Sequence, residues 1–112
     1  MEKLLKVYAD DCPICKELAK SDEKLASVHN MEFEQMSLDE VAGLPEENNL
    51  RGYVIHYHVD DTGMVDIPLY LILDRENRIK SSGSIKEPEQ ITNLINSWEL
   101  YKSQMSSVSE TE

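Results

Sequence analysis

The chain predicts an α/β fold built on a four-stranded mixed sheet flanked by helices, and three observations carry that prediction. An apolar, strand-like run leads directly into a helical repeat, and a second, alternating run follows that helix closely, which implies a parallel strand–helix–strand unit. Two later runs, separated by a tight turn and followed by a last helix, imply an antiparallel hairpin. At 112 residues, all of this fits one domain with a modest core.

The first strand is expected over residues 3–9, apolar and including Val7 and Tyr8, with Asp10 and Asp11 closing it as turn and helix-capping residues. From Pro13 to Val28 apolar side chains recur at helical spacing (Ile14, Cys15, Leu18, Ala19, Leu25, Ala26), and charged ones fill the other side. Pro13 falls at the first helical position, where its missing N–H costs nothing. Residues 31–38 alternate as a second strand.

A helix is expected from about Pro45 to His58, because Pro45 stands early and Glu46 and Glu47 fall in its first turn. The β-branched and aromatic run Tyr53–Val59 leaves a strand open there. Asp60-Asp61-Thr62-Gly63 reads as a turn and residues 67–73 as an apolar strand with Pro68 near its start. Asp74–Asn77 reverses the chain into residues 78–82, and Gly83 ends the hairpin. A last helix opens at Glu87-Pro88-Glu89 and carries Ile91, Leu94, Ile95, Trp98 and Tyr101 as a stripe at core spacing. The domain is expected to span 1–102, with 103–112 a loose, serine-rich polar tail.

Composition narrows the function. The formal charge of −11, from 22 acidic against 11 basic residues, repels nucleic acid and anionic membranes and suits a neutral or basic protein partner. The N-terminal stretch lacks a signal-peptide pattern and no apolar run is long enough to span a bilayer, so a cytoplasmic, monomeric protein is expected.

Cys12 and Cys15, the only cysteines, stand as Asp11-Cys12-Pro13-Ile14-Cys15-Lys16 between the first strand and its helix. A two-residue gap on a first helical turn brings the sulfurs within bonding reach, and the helix's N-terminal dipole and free N–H groups favour the thiolate that performs exchange. Lys16 adds to that effect, Asp10 and Asp11 oppose it, and Pro13 removes one donor. In a reducing compartment such a pair is catalytic, redox-sensing or metal-binding more often than structural. The metal reading would complete a zinc site with His56 and His58; it is the lesser one, and no metal is expected.

The order strand, CxxC at a helix start, helix, strand, helix, then Ile67-Pro68 opening a hairpin and a final helix resembles the thioredoxin fold (β-α-β-α-β-β-α) over nearly the whole chain to about Lys102. The CxxC pair together with Ile67-Pro68 carries the resemblance. It implies a thiol–disulfide oxidoreductase acting on protein disulfides, with Cys12 the attacking thiolate and Cys15 the buried resolving thiol. It implies that Pro68 follows a cis bond opposite the cysteines and exposes the Ile67 backbone to substrate, and that Gly83 lets the substrate approach. Asp11, Pro13, Ile14, Ile67, Pro68 and Gly83 then form the docking surface. No bound cofactor is implied, only a disulfide-containing protein substrate and an external reductase or dithiol.

Three departures qualify the match. The Cys-Pro-x-Cys form is similar to that of glutaredoxins, yet Ser82-Gly83-Ser84-Ile85 lacks the second glycine of a glutathione site. The outer strand and helix of larger thioredoxins are missing. Lys6 stands where the family has a buried aspartate, so the usual proton acceptor for the resolving thiol is absent. The alternative in a different class is a thioredoxin-fold adaptor or effector that binds a partner through its acidic surface.

Overall fold

The structure is a computed structural model that describes the backbone of residues 1–111 and side chains through Gln104. Its elements in chain order are β1 (Lys3–Tyr8), α1 (Pro13–Val28), β2 (Glu32–Ser37), α2 (Leu38–Ala42), α3 (Asn49–His58), β3 (Leu69–Leu73), β4 (Ile79–Ser84) and α4 (Pro88–Thr111). The four strands form one sheet in the order β2-β1-β3-β4. β2 runs parallel to β1, while β3 is antiparallel to both β1 and β4.

Strand β1 lies at the centre and is covered on both faces, which explains why it reads as a nearly unbroken apolar run. Leu4 joins Leu18, Ala26, Tyr70, Ile72, Ile91 and Ile95 in the core beneath α1 and α4. Leu5 and Val7 join Val41, Val54, Leu69 and Leu71 in a second core beneath α2 and α3. Successive side chains of a strand alternate between faces, so Lys6 falls with Leu4 on the α1 side.

Four expectations are corrected. The strand expected over 31–38 stops at Ser37, because Ser37 caps a short helix: its hydroxyl accepts from Glu40 N–H at 3.1 Å while Glu40 accepts from Ser37 N–H at 3.1 Å. The helix expected from Pro45 starts only at Asn49, since Asn48 Oδ1 takes the N–H groups of Leu50 and Arg51 at 2.9 and 3.2 Å. Its strand alternative fails because 49–58 is helical. Gly83 does not end the hairpin; it lies inside β4, opposite Tyr70.

Fourth, Asp10 and Asp11 do not cap α1; Cys12 does. The two tight turns form as expected. Asp60 accepts from Thr62 and Met64 N–H at 2.9 and 3.0 Å, with Gly63 at φ 81°, and Asp74 accepts from Glu76 and Arg78 N–H, both at 2.9 Å. Trp98 is buried against the core as its spacing predicts. Ser103 and Gln104 continue α4, exposed, and the rest of the expected loose tail, 105–112, lies outside the described side chains. Among the described residues no helix is long and apolar enough to cross a membrane.

Candidate active site

The site is built where β1 hands over to α1. Cys12 N–H donates to Ala9 O at 3.3 Å, which turns the chain, and Cys12 becomes the N-cap in extended conformation. A cap residue offers a side-chain atom to the first free N–H groups of a helix. Here that atom is sulfur: Cys15 N–H donates to Cys12 Sγ at 3.1 Å. Pro13 occupies the first turn without loss, as expected.

Cys12 and Cys15 are joined as a disulfide, with their Cα atoms 5.2 Å apart. Cys12 keeps 9 % of its surface accessible and Cys15 only 4 %, so the first cysteine is the more reachable of the pair. Asp10, Asp11, Pro13 and Ile14 around them are exposed.

The bond between Ile67 and Pro68 is cis. Pro68 directly precedes Leu69, which pairs with Val7, so Ile67-Pro68 lies at the sheet end from which the Cys12 loop departs. Ile67 and Asp11 line one groove of about 510 Å³, whose wall is Leu38, Val41, Val54 and Met64. The Pro68 carbonyl accepts from Ile85 N–H at 3.0 Å, while Lys86 Nζ donates to the Ile67 carbonyl at 2.7 Å. Gly83 stands further along the ladder, opposite Tyr70, and a methyl group added to it would meet nothing within 4 Å.

Behind the cysteines lies a buried polar cluster. Lys6 and Asp22 are 1 % and 0 % exposed. Lys6 Nζ donates to Asp22 Oδ2 at 2.6 Å and to the carbonyl of Cys15 at 2.7 Å, and Tyr70 donates its hydroxyl to Asp22 Oδ1 at 2.5 Å. Lys6 and Tyr70 are directly paired across β1 and β3, and α1 lays Asp22 over them. Burial, and then the Asp22 carboxylate, hold the Tyr70 phenol well above its ordinary value, so it stays a donor.

Sequence reasoning picked out Lys6 but missed Asp22 and Tyr70. The available signal was Asp22 on the stripe Cys15, Leu18, Asp22, Ala26, an acid among residues that all prove buried.

The histidines stand elsewhere. His58 Nε2 meets Ser82 Oγ at 2.8 Å, and Ser82 Oγ also meets Tyr53 OH at 2.8 Å. Among the described residues no group of three or more His, Cys, Asp or Glu side chains is placed to hold a metal ion.

Comparison with known proteins gives a likeness of shape. No family model and no curated protein matches the sequence. Among solved structures, the chain is similar to the germline-specific thioredoxin Deadhead of Drosophila melanogaster, at TM-score 0.57 and 20% identity over 86% of this chain and 79% of that one. It is also similar to thioredoxin 1 of the thermophilic eubacterium Thermosipho africanus, at TM-score 0.56 and 21% identity over 93% and 98% of the two chains. With its mixed four-stranded sheet, flanking helices and joined Cys12–Cys15 pair at a helix start, the chain has the thioredoxin fold.

Proposed function

We propose that the protein is a dithiol–disulfide oxidoreductase acting on disulfides of other proteins. The observation that carries this reading is the Cys12–Cys15 pair on the first turn of α1, with the Cys15 N–H aimed at the Cys12 sulfur. That donor and the helix dipole stabilise negative charge on Cys12, which makes it the nucleophile. In the reduced form, the Cys12 thiolate attacks one sulfur of a substrate disulfide. A mixed disulfide forms and one substrate thiolate leaves to take a proton from solvent. Cys15 then loses its proton and attacks the Cys12 sulfur. The second substrate sulfur is released reduced, and the Cys12–Cys15 bond is restored.

The substrate segment docks beside the pair, against Asp11, Pro13, Ile14 and Ile67, with Pro68 backing the site and Gly83 at its far side. The protein acts as a cytoplasmic monomer without bound cofactor, and a separate reductase or small dithiol returns the two electrons. Nucleic acid and membrane surfaces are not partners, given the net charge of −11.

Insulin reduction with dithiothreitol as electron donor tests the reading. The wild-type chain accelerates precipitation of the insulin B chain, and Cys12→Ser abolishes the acceleration. If the wild type does nothing in that assay while a Cys12→Ser/Cys15→Ser chain still performs the protein's cellular role, the oxidoreductase reading falls and the adaptor reading replaces it.

A further inference from the structure

We propose that Lys6 is a positioning residue for the resolving thiol: its ammonium, anchored by Asp22 and Tyr70, tethers the main chain of Cys15 and supplies the positive charge against which the Cys15 thiolate forms. The inference rests on the oxidoreductase reading and adds to it a role for the buried polar cluster.

Resolution requires Cys15 to give up a proton in a site only 4 % exposed, where forming an anion is costly. A carboxylate base would be one solution, and Asp22 is the only buried acid among the described residues. It is unsuited to that task. Oδ2 is taken by Lys6 and Oδ1 by Tyr70, so both oxygens already hold donors. Its contact with Cys15 also runs through the Lys6 ammonium, which bonds both the carboxylate and the Cys15 carbonyl.

The Lys6 ammonium is the nearer charge. It donates to the Cys15 carbonyl at 2.7 Å, with the carboxylate on its other side at 2.6 Å. Coulomb energy falls with distance and is strongest away from water, so the positive end of this pair dominates at Cys15. Lys6 and Cys15 also line one open cleft of about 160 Å³, completed by Tyr8, Asp10, Lys16 and Gln35. Solvent enters there, so the Cys15 proton leaves to water. Of the other charged groups facing the cleft, Asp10 and Lys16 are exposed, opposite in sign and screened by salt. The step balances as a proton to water, a new Cys15–Cys12 bond, cleavage of the Cys12–substrate bond, and the electron pair leaving with the substrate sulfur.

The experiment is stopped-flow reaction of the reduced full chain with the aromatic disulfide of thionitrobenzoate. The first phase reports attack by Cys12 and the second reports resolution by Cys15. An unassisted thiol near about 8.5 would speed the second phase about 25-fold between pH 7 and 9. The wild type shows a shallower rise. Lys6→Met/Asp22→Leu, which removes both charges together, slows the second phase about tenfold at pH 7, converges on wild type by pH 9 and leaves the first phase within twofold. Lys6→Arg, which keeps the charge, restores most of the rate.

A wild-type rise of 25-fold or steeper overturns the proposal, and so does a double variant with an unaltered second phase. Should the double variant fail to fold by circular dichroism, the wild-type profile decides. A wild type with no second phase and no insulin activity overturns the oxidoreductase reading itself, whereas an active wild type with the steep profile overturns only the role of Lys6.

Discussion

The ammonium of Lys6 and the carboxylate of Asp22 meet at 2.6 Å with almost no surface left to water. A pair so placed is bound by large opposing terms. Each ion loses its hydration, and mutual attraction plus the extra bonds to Cys15 and Tyr70 offset that loss.

Lys6→Met alone strands a buried carboxylate and is expected to cost about 3–5 kcal/mol. Lys6→Met/Asp22→Leu is expected to cost less than either single change, because no uncompensated charge remains. Urea unfolding of the three variants closes a double-mutant cycle. Additive losses would show that the two residues are not coupled.

Cys15→Ser removes the resolving sulfur and leaves the attacking one. Incubated with a disulfide-bonded protein, this variant is expected to accumulate a covalent adduct through Cys12, visible on a non-reducing gel and dissolved by dithiothreitol. Cys12→Ser should form at least tenfold less adduct, since Cys15 is the less accessible sulfur. Equal trapping by the two variants would reverse their roles.

Glu2 ties the chain start to α4. It accepts from Trp98 Nε1 at 2.7 Å and from Lys102 Nζ at 2.8 and 2.9 Å. Burial pushes its carboxyl up, but the hydrogen bonds from Lys102 and Trp98 more than reverse this, leaving it below the ordinary carboxylate value. A depressed acid contributes stability that is present above its unfolded value and lost as pH falls through the folded one. Glu2→Gln is expected to cost about 1 kcal/mol at pH 7. In thermal melts the gap should narrow below pH ~4. A gap of constant size down to pH 2 would rule out the ionised carboxylate as its source.

His58 sits half-buried against Ser82, and burial lowers its imidazole below the ordinary histidine value. The folded chain therefore binds fewer protons than the unfolded one between that lowered value and about 6.5. Stability associated with His58 is full above this window and declines as pH drops through it. Proton NMR titration should place the His58 midpoint below 6.5, and a midpoint at or above that value would contradict the packing.

Elements that declare themselves over many residues were readable from residue order. Helix α1 is legible at its observed bounds, since Pro13 marks the start and the apolar positions from Ile14 to Ala26 recur at helical spacing. Strand β1 and the hairpin were visible because a doubly covered strand is mostly apolar and a tight turn needs its Asp and Asn. Helix α2 escaped because five residues make too short a stripe, although Ser37-Leu38-Asp39-Glu40 carries the capping-box signature. The start of α3 was misplaced because Pro45 and Asn48 both mark helix beginnings, and only the hydrogen bonds of Asn48 choose between them.

Residue order was enough for the fold class and for the two sulfurs at a helix start, because periodicity and a two-residue gap are local properties that no distant contact can alter. The cluster behind those sulfurs depended on three-dimensional assembly. Lys6, Asp22 and Tyr70 are separated by 16 and 48 residues, and nothing local makes a lysine in one strand, an acid on a helix and a tyrosine in another strand into partners. They meet because β1 pairs with β3 in a register that sets Lys6 beside Tyr70, and because α1 packs across that pair, excluding the water that each charge would otherwise prefer.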